Sequence, residues 1–203
     1  ATHTIALARA VDKSRTFVIV SHMLAGDAKV RGRDSEATAT IADDGASVSL
    51  NFISAPDNGV IYYLQVVELA DGFGTVEHKP VTYRGSVDTA ITAAQIGRSF
   101  VVPAGVTAYD LGDSSGLGSF NNARLDFDFY LAENASNTAY NRVVMTTQST
   151  TDAVTHLQIV KINAGVSVQL VPVSISDTSL APGTPPPIST TISGFVPCDL
   201  TNQ

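Results

Sequence analysis

The sequence predicts an all-β protein: two tandem antiparallel β-sandwich modules of jelly-roll-like form, produced by an internal duplication and followed by an extended C-terminal arm. Three observations predict this fold class. Short runs rich in Val, Ile, Thr, Tyr and Phe alternate with Gly, Asn, Asp and Pro turns, a pattern typical of sandwiches and barrels. No segment keeps a helical apolar period over about twelve residues. Two blocks of sequence recur in the same order.

The two recurring blocks indicate the duplication. Residues 10–18 align with residues 93–101 at an offset of 83, and both contain an Arg-Ser/Thr-Phe-Val motif. Residues 61–69 align with residues 154–162 at an offset of 93, and both contain Leu-Gln-Val/Ile-Val. The offset therefore grows between the blocks, and the Gly/Ser/Asn-rich segment 111–122 has the composition of a long inserted loop.

Each predicted module contains five strands. The first module spans residues 1–83 and the second spans residues 84–165, while residues 166–203 form an edge strand and the arm. The predicted strands are 2–9, 15–22, 36–42, 46–54 and 60–70 in the first module, and 87–94, 98–103, 123–131, 139–147 and 153–163 in the second.

Residues 60–70 form the best-defined predicted strand. Successive side chains of a strand point to opposite faces, and both faces of this strand are largely apolar. A strand of that kind is typically covered on both sides. We therefore predict that Tyr63, Val67 and Leu69, which share one face, belong to an assembly interface.

The C-terminal region differs in composition. Residues 166–175 have strand-like composition, but Pro172 confines such a strand to a sheet edge. Residues 178–203 contain five of the nine prolines and no basic residue, which favours an extended backbone with no core of its own. We interpret this segment as an arm that lies across a neighbouring subunit; a disordered tail is the alternative. The apolar residues predicted to contact the neighbour are Ile188, Ile192, Phe195 and Val196.

Composition excludes several classes of protein. Only 15% of the residues are charged, whereas 19 Ser and 21 Thr supply an uncharged polar surface. The net charge is −7 and the isoelectric point is near 4.8, so nucleic-acid binding is not expected, because phosphate contacts need a basic face. No run of about 20 apolar residues is present, and the first residues lack the pattern of a secretory signal. Neither a nucleic acid nor a membrane is therefore an expected partner.

The sequence predicts no catalytic residue, no cofactor and no metal site. The four histidines have none of the spacings typical of zinc ligands; they are His3, His22, His78 and His156. Asp126 and Asp128 share a strand face, which suits a half-exposed strand better than a calcium or acid–base pair, since no third ligand accompanies them. The Gly-rich residues 112–118 lack the Lys and the following helix of a phosphate loop. Cys198 is the single cysteine; we expect a free thiol, with an intermolecular disulfide as the alternative.

Two motifs carry a family resemblance. The motif strands are Arg15–Val18 and Leu64–Val67, with their counterparts Arg98–Val101 and Leu157–Val160. They resemble modules of bacteriophage virion proteins of the tail-fibre and capsid-decoration types, in which an Ala/Thr-rich strand leads to a similar strand and the unit ends on a Gln-Val-Val-Glu-Phe-like strand. The first copy, Gln65–Leu69, is the closer match, and the second replaces Glu68 by Lys161. The resemblance covers about residues 4–163 and transfers no catalytic or ligand residues.

The resemblance implies a non-enzymatic structural component of a bacteriophage particle, in capsid decoration or as a tail or connector protein. The expected partners are copies of the chain itself and other virion proteins, such as major capsid or tail proteins. The expected location is the virion, after synthesis in the host cytoplasm. One alternative is a tail-fibre module that binds a host surface receptor or glycan. Another is an extracellular enzyme, such as a glycan hydrolase on a β scaffold.

Overall fold

The computed structural model describes residues 1–24, 37–52, 60–108, 128–146, 153–163 and 168. These residues form eleven strands and one short 3-10 helix, η1, so the all-β prediction is confirmed. No helix among them is long and apolar enough to cross a membrane. The elements are β1 (Thr2–Ala6), η1 (Lys13–Arg15), β2 (Thr16–Leu24), β3 (Thr38–Ile41), β4 (Ser47–Asn51), β5 (Val60–Glu68), β6 (Gly74–Tyr83), β7 (Val87–Ala94), β8 (Ser99–Ala108), β9 (Asp128–Glu133), β10 (Tyr140–Thr146) and β11 (Ala153–Ile162).

The strands form three antiparallel sheets. The largest has the order β1-β4-β3-β8-β11-β6, and the others are β7-β10-β9 and the two-stranded β2-β5 ribbon. The contact between β3 and β8 is brief, since one pair, Thr38 and Gly105, joins them. At that point a Cβ on Gly105 would lie 2.0 Å from the Ala37 carbonyl oxygen, and Gly105 has a φ of +81°. Glycine is the residue that permits both the close approach and this backbone conformation.

The pairing pattern of residues 2–68 recurs in residues 87–162. In the first half, β4 lies between β1 and β3, and β2 pairs with β5; in the second half, β10 lies between β7 and β9, and β8 pairs with β11. The register also recurs. Phe17 lies opposite Val67, and their aligned counterparts, Phe100 and Val160, lie opposite each other.

Each half encloses an apolar cluster between its two sets of strands. Alternation in β4 shows how the sequence builds it: Val48 and Leu50 are buried, whereas the intervening serine and the residues at both ends are half-buried. The first cluster lies between β2-β5 and β1-β4-β3, with Ala104 of β8 added. The second lies between β8-β11 and β7-β10-β9.

A third cluster joins the halves. It contains Phe17, Val76, Val160 and Ile162, with partly buried neighbours that include Phe100. The rings of Phe17 and Phe100 meet edge to face with their centroids 6.3 Å apart. The halves are therefore held together by burial of apolar surface as well as by strand pairing.

Strand β6 is absent from the strands predicted from sequence. It contains Glu77, His78, Lys79 and Pro80, a combination that weakens every strand signal. Pro80 is tolerated because β6 is the last strand of its sheet, where one row of backbone groups needs no partner. Although β6 follows β5 in sequence, it pairs along its whole length with β11 of the second half.

Candidate functional site

The outer side of the β2-β5 ribbon presents apolar side chains to solvent. Even-numbered residues of both strands, such as Val18 and Leu64, pack into the first cluster. The odd-numbered residues point the other way. Among them Ile19, Ile61 and Tyr63 are 38%, 43% and 51% exposed. We call this outward surface, which also includes Ser21 and Gln65, the ribbon face.

The ribbon face is uncharged among its described side chains: Ile19, Ser21, Ile61, Tyr63 and Gln65. Cross-strand pairing brings them together, since Ile19 lies opposite Gln65 and Ser21 opposite Tyr63. Large apolar side chains grouped on one face without charges are typical of contact surfaces. The face is therefore suited to contact with apolar protein surface, and its described side chains include no carboxylate, histidine, lysine or cysteine.

The residues predicted to form an assembly interface differ in their exposure, and some of them lie outside the described part of the chain. Tyr63 lies on the ribbon face. Val67 and Leu69 are partly buried and pack against the third cluster, so their contacts lie within the chain. Strand β5 is thus covered on both sides at that end, while its other end exposes one face. Ile188, Ile192, Phe195 and Val196 lie outside the described residues.

In the second half, the side of β11 that corresponds to the ribbon face is buried. The counterparts of Tyr63 and Gln65 on β11 are His156 and Gln158, which are 7% and 1% exposed. The Gln158 side chain accepts a hydrogen bond from the Val18 backbone N–H at 2.7 Å and donates to the Val18 carbonyl at 2.8 Å. It also donates to the Val102 carbonyl at 3.3 Å. One side chain therefore replaces strand pairing between β2 and the β8-β11 layer.

Two histidines lie beside Gln158 beneath η1. His78 Nε2 is 3.0 Å from the carbonyl oxygens of both Lys13 and Thr16, so this nitrogen carries the proton and donates. His78 Nδ1 must then accept from His156 Nε2, 3.1 Å away. That assignment leaves His156 Nδ1 without a proton, and this atom is buried with no hydrogen-bond partner among the described residues.

Both histidines are held neutral. Burial lowers the pKa of His156 to about 4, helped by the nearby His78 and the charge of Lys13. Burial also lowers the pKa of His78, against the opposing effect of its hydrogen bonds to the backbone carbonyls. Protonation of His78 at Nδ1 would break the His156–His78 hydrogen bond, since an imidazolium has no acceptor nitrogen. Protonation of His156 at Nδ1 would instead place a charge on a buried atom that has no hydrogen-bond partner among the described residues.

An ion pair between Lys161 of β11 and Glu77 of β6 lies near the histidines on the same two strands. Lys161 Nζ lies 2.7 Å from Glu77 and donates to the Thr92 carbonyl at 3.0 Å, while Glu77 accepts from the Thr92 N–H. Burial alone raises the pKa of Glu77, but these hydrogen bonds and the charge of Lys161 outweigh it and lower the pKa. The contacts hold β7 against β6 and β11, which makes the group structural in character.

A separate apolar cavity of about 270 Å³ lies in the second half. Aromatic rings dominate its lining, and Ser99 Oγ in its wall is buried with no partner among the described residues. The described lining residues are Ser99, Phe100, Val101, Phe129, Tyr130, Leu131, Tyr140 and Val168. They include no histidine, carboxylate or lysine, so the lining supplies no strong acid or base.

The other residues considered from the sequence either form no metal or catalytic cluster within the described part of the chain or lie outside it. In the described part of the chain, no three His, Cys, Asp or Glu residues come together in a way that could hold a metal ion. Asp126 and Cys198 lie outside the described residues, as do residues 112–118. Ile19 and Ile61 were not among the interface residues predicted from the sequence. The alternation of side chains in β2 and β5 could have identified both, since it places them on the same side as Tyr63.

A scan of the chain against protein-family models gave no match, and searches of the curated proteins and of the solved structures gave no significant match either.

Proposed function

We propose that this protein is a non-enzymatic structural component of a bacteriophage particle, in capsid decoration or in a tail or connector position. It acts by association with copies of itself and with other virion proteins. The observation that carries the proposal is the uncharged ribbon face with Ile19, Ile61 and Tyr63 exposed. The phage assignment itself comes from the two sequence motifs and their resemblance to virion modules.

The repeated strand pairing supports two tandem jelly-roll-like sandwich modules as the architecture of this component. Equivalent positions of the two motifs occupy equivalent places, as Phe17 opposite Val67 and Phe100 opposite Val160 illustrate. A further agreement lies in the turns: Leu69 N–H donates to the Arg15 carbonyl, and Ile162 N–H donates to the Arg98 carbonyl. Leu69 and Ile162 are related by the offset of 93, and Arg15 and Arg98 are related by the offset of 83.

Sedimentation velocity of the full chain tests self-association. We expect the chain to form oligomers as its concentration rises, because burying the ribbon face removes apolar area worth roughly 25 cal/mol per Å² from water. The double variant Ile61→Glu/Tyr63→Glu should shift the sedimenting species to monomer. Ala6→Glu, at an exposed position of β1, adds charge elsewhere and should leave association unchanged. A wild-type chain that stays monomeric throughout would refute self-association.

Mass spectrometry of purified phage particles from the source culture tests the phage assignment separately. The chain should be present in many copies per particle. Its absence from particles would overturn the assignment even if the isolated chain forms oligomers.

A glycan- or receptor-binding tail-fibre module is the second candidate. Tyr130, on β9, is 45% exposed, and exposed tyrosine rings are suited to stacking on sugars. Binding on a glycan array that disappears in Tyr130→Ala would favour this candidate over the scaffold role.

A further inference from the structure

We propose that the apolar cavity in the second half binds a small neutral aromatic compound that carries one hydroxyl group, with that group hydrogen-bonded to Ser99. The cavity has a volume of about 270 Å³, and none of its described lining residues belongs to the ribbon face. The inference concerns a ligand of the chain and does not depend on the proposed assembly role.

The cavity adjoins the second apolar cluster and is lined by residues of β8, β9 and β10. On β8, Ser99 and Val101 point to the same side of the sheet, because side chains alternate along a strand. Val101 packs against the second cluster, to which Leu131 of β9 and Tyr140 of β10 belong. The side chain of Ser99 therefore lies on the side of β8 that faces the cavity.

Ser99 brings an unused hydroxyl group to this wall. The residue is 4% exposed, and its Oγ has no hydrogen-bond partner among the described residues. A buried polar group without a partner is destabilising, so a ligand that supplies the partner would be bound more tightly for it. Rotation about the single side-chain torsion moves this oxygen between three staggered positions, which allows it to turn toward a ligand.

The first half shows how the same position is satisfied within the chain. The aligned residue, Thr16, is fully buried, and its hydroxyl donates to the Asp12 carbonyl at 2.7 Å. The carbonyl aligned with that of Asp12 belongs to Gln95; it accepts from the Arg98 N–H, as the Asp12 carbonyl accepts from the Arg15 N–H. The two turns share this backbone contact, but the hydroxyl bonds to the carbonyl in the first half alone.

The aligned positions of the first half are also packed more tightly. Val18 is fully buried in the first cluster, whereas its counterpart Val101 is half-buried. The cavity lining further includes the half-buried Phe129 and the exposed Tyr130. Residues of graded exposure around one space are typical of a cleft that a ligand enters from solvent.

The lining indicates a neutral aromatic ligand. Its described side chains carry no charge, and an ion would lose its hydration there without a counter-charge. Phe129 and Tyr140 come from the strands that face Ser99, and aromatic side chains make favourable edge-to-face and offset contacts with another ring. Since an apolar cavity of about 150 Å³ holds benzene, one of about 270 Å³ has room for two fused rings.

The polar character of the wall indicates one hydroxyl on that ligand. Ser99 Oγ is the one buried side-chain atom in the described lining that has no partner. A buried water makes about three hydrogen bonds, which a single free hydroxyl in an apolar wall does not supply. An aromatic alcohol needs one such partner and fills the remaining space with apolar surface.

The fluorescence of naphthol measures binding to the full chain. Naphthol has two fused rings and one hydroxyl, and its emission can be excited selectively because the chain contains no Trp. Titration with the protein should show saturable binding of one equivalent. Ser99→Ala should weaken the affinity for naphthol about five- to tenfold, the effect of one hydrogen bond. Naphthalene, which lacks the hydroxyl, should bind both proteins with affinities within about twofold of each other.

Thr16→Ala is the matched control, because it removes the aligned hydroxyl from the first half. It should lower the melting temperature by about 3–6 °C, through loss of the bond to the Asp12 carbonyl, and leave the naphthol affinity unchanged. Ser99→Ala should do the reverse. It should weaken binding but keep the melting temperature within about 2 °C of the wild type, since the hydroxyl it removes has no partner.

The proposal is overturned if the wild-type chain shows no saturable binding of naphthol, or if Ser99→Ala binds naphthol as tightly as the wild type. An equal loss of naphthol and naphthalene affinity in Ser99→Ala would also overturn it, because the hydroxyl would then not be the anchor. Val101→Phe adds a ring to the wall and should abolish binding of both compounds; undiminished binding would place the ligand elsewhere. If that variant does not fold, the Ser99→Ala comparison still decides the outcome.

Discussion

Single residues decide how the two halves contact each other, and Gln158 illustrates this best. Its amide bonds to both backbone groups of Val18, which a strand neighbour would otherwise do. The aligned residue Gln65 is identical in type but exposed. Identical side chains at equivalent positions thus have different roles, because one half is covered at that point and the other is not.

Gln158→Leu should destabilise the fold by about 2–4 kcal/mol, because it leaves the buried N–H and C=O of Val18 without these partners. Gln65→Leu is the matched control and should change the free energy of unfolding by less than about 0.5 kcal/mol. Urea unfolding followed by circular dichroism measures both. Equal effects of the two substitutions would contradict the role assigned to Gln158.

The buried histidine pair predicts acid sensitivity above the range in which carboxylates titrate. The pKa of His156 is about 4 in the folded protein and about 6.5 when unfolded, so below pH 6.5 the unfolded state binds a proton that the folded state lacks. Stability is therefore fully present above pH 6.5 and falls as the pH drops toward 4. His78 acts in the same direction.

From pH 7 to pH 5, His156 should account for a loss of about 2 kcal/mol in the free energy of unfolding. His156→Gln should reduce that loss, and His3→Gln, at an exposed position of β1, should not. Urea unfolding at the two pH values provides the measurement. If His156→Gln loses as much stability as the wild type between these pH values, the protonation argument is wrong.

No spacing in the sequence marks His78 and His156 as neighbours. They lie 78 positions apart, and their contact follows from the pairing of β6 with β11. The amide of Gln158 is equally hidden, because its twin at Gln65 shows the same local pattern. Sequence predicted which side chains share a face, but it could not predict what covers that face.

At the scale of elements, short strands and turns were predictable because their signals are local. The alternation in β4 and the Val/Ile-rich runs of β5 and β11 identify themselves within a few residues. β6 could not be identified from local sequence. Its charged residues and Pro80 are tolerated in a strand only at the edge of a sheet, and the rest of the chain builds that sheet. Its existence as a strand depends on long-range pairing.

The junction of β3 and β8 depends on one glycine. Gly105→Ala should reduce the free energy of unfolding by about 2–4 kcal/mol, since it adds a Cβ within 2.0 Å of the Ala37 carbonyl oxygen at a positive φ. Gly72 also has a positive φ, of +72°, but a Cβ there would meet nothing within 4 Å. Gly72→Ala should therefore cost only about 1 kcal/mol. Thermal unfolding compares the two variants; a cost at Gly105 no larger than at Gly72 would show that the close approach is unimportant.

At the scale of the whole molecule, ten of the eleven described strands form two sets with the same pairing pattern, and each set contains one copy of the two short motifs. The motifs were informative because Phe17 and Phe100, and the strands opposite them, are in equivalent registers. The relation between the sets could not be predicted, since it depends on the third cluster and on Gln158, neither of which has a local signal. The proposed assembly role depends on this relation, because it leaves the ribbon face exposed.

The crossing of β6 has a consequence for biosynthesis. A ribosome that has just completed β6 at Tyr83 must add 79 more residues before β11 ends at Ile162. At about 5–20 residues per second, that interval lasts roughly 4–16 s. Throughout that interval β6 has been synthesised, but its partner strand β11 is incomplete. The nascent chain therefore carries a temporary adhesive edge, and crowded polysomes that translate this protein are where mispairing between chains would begin.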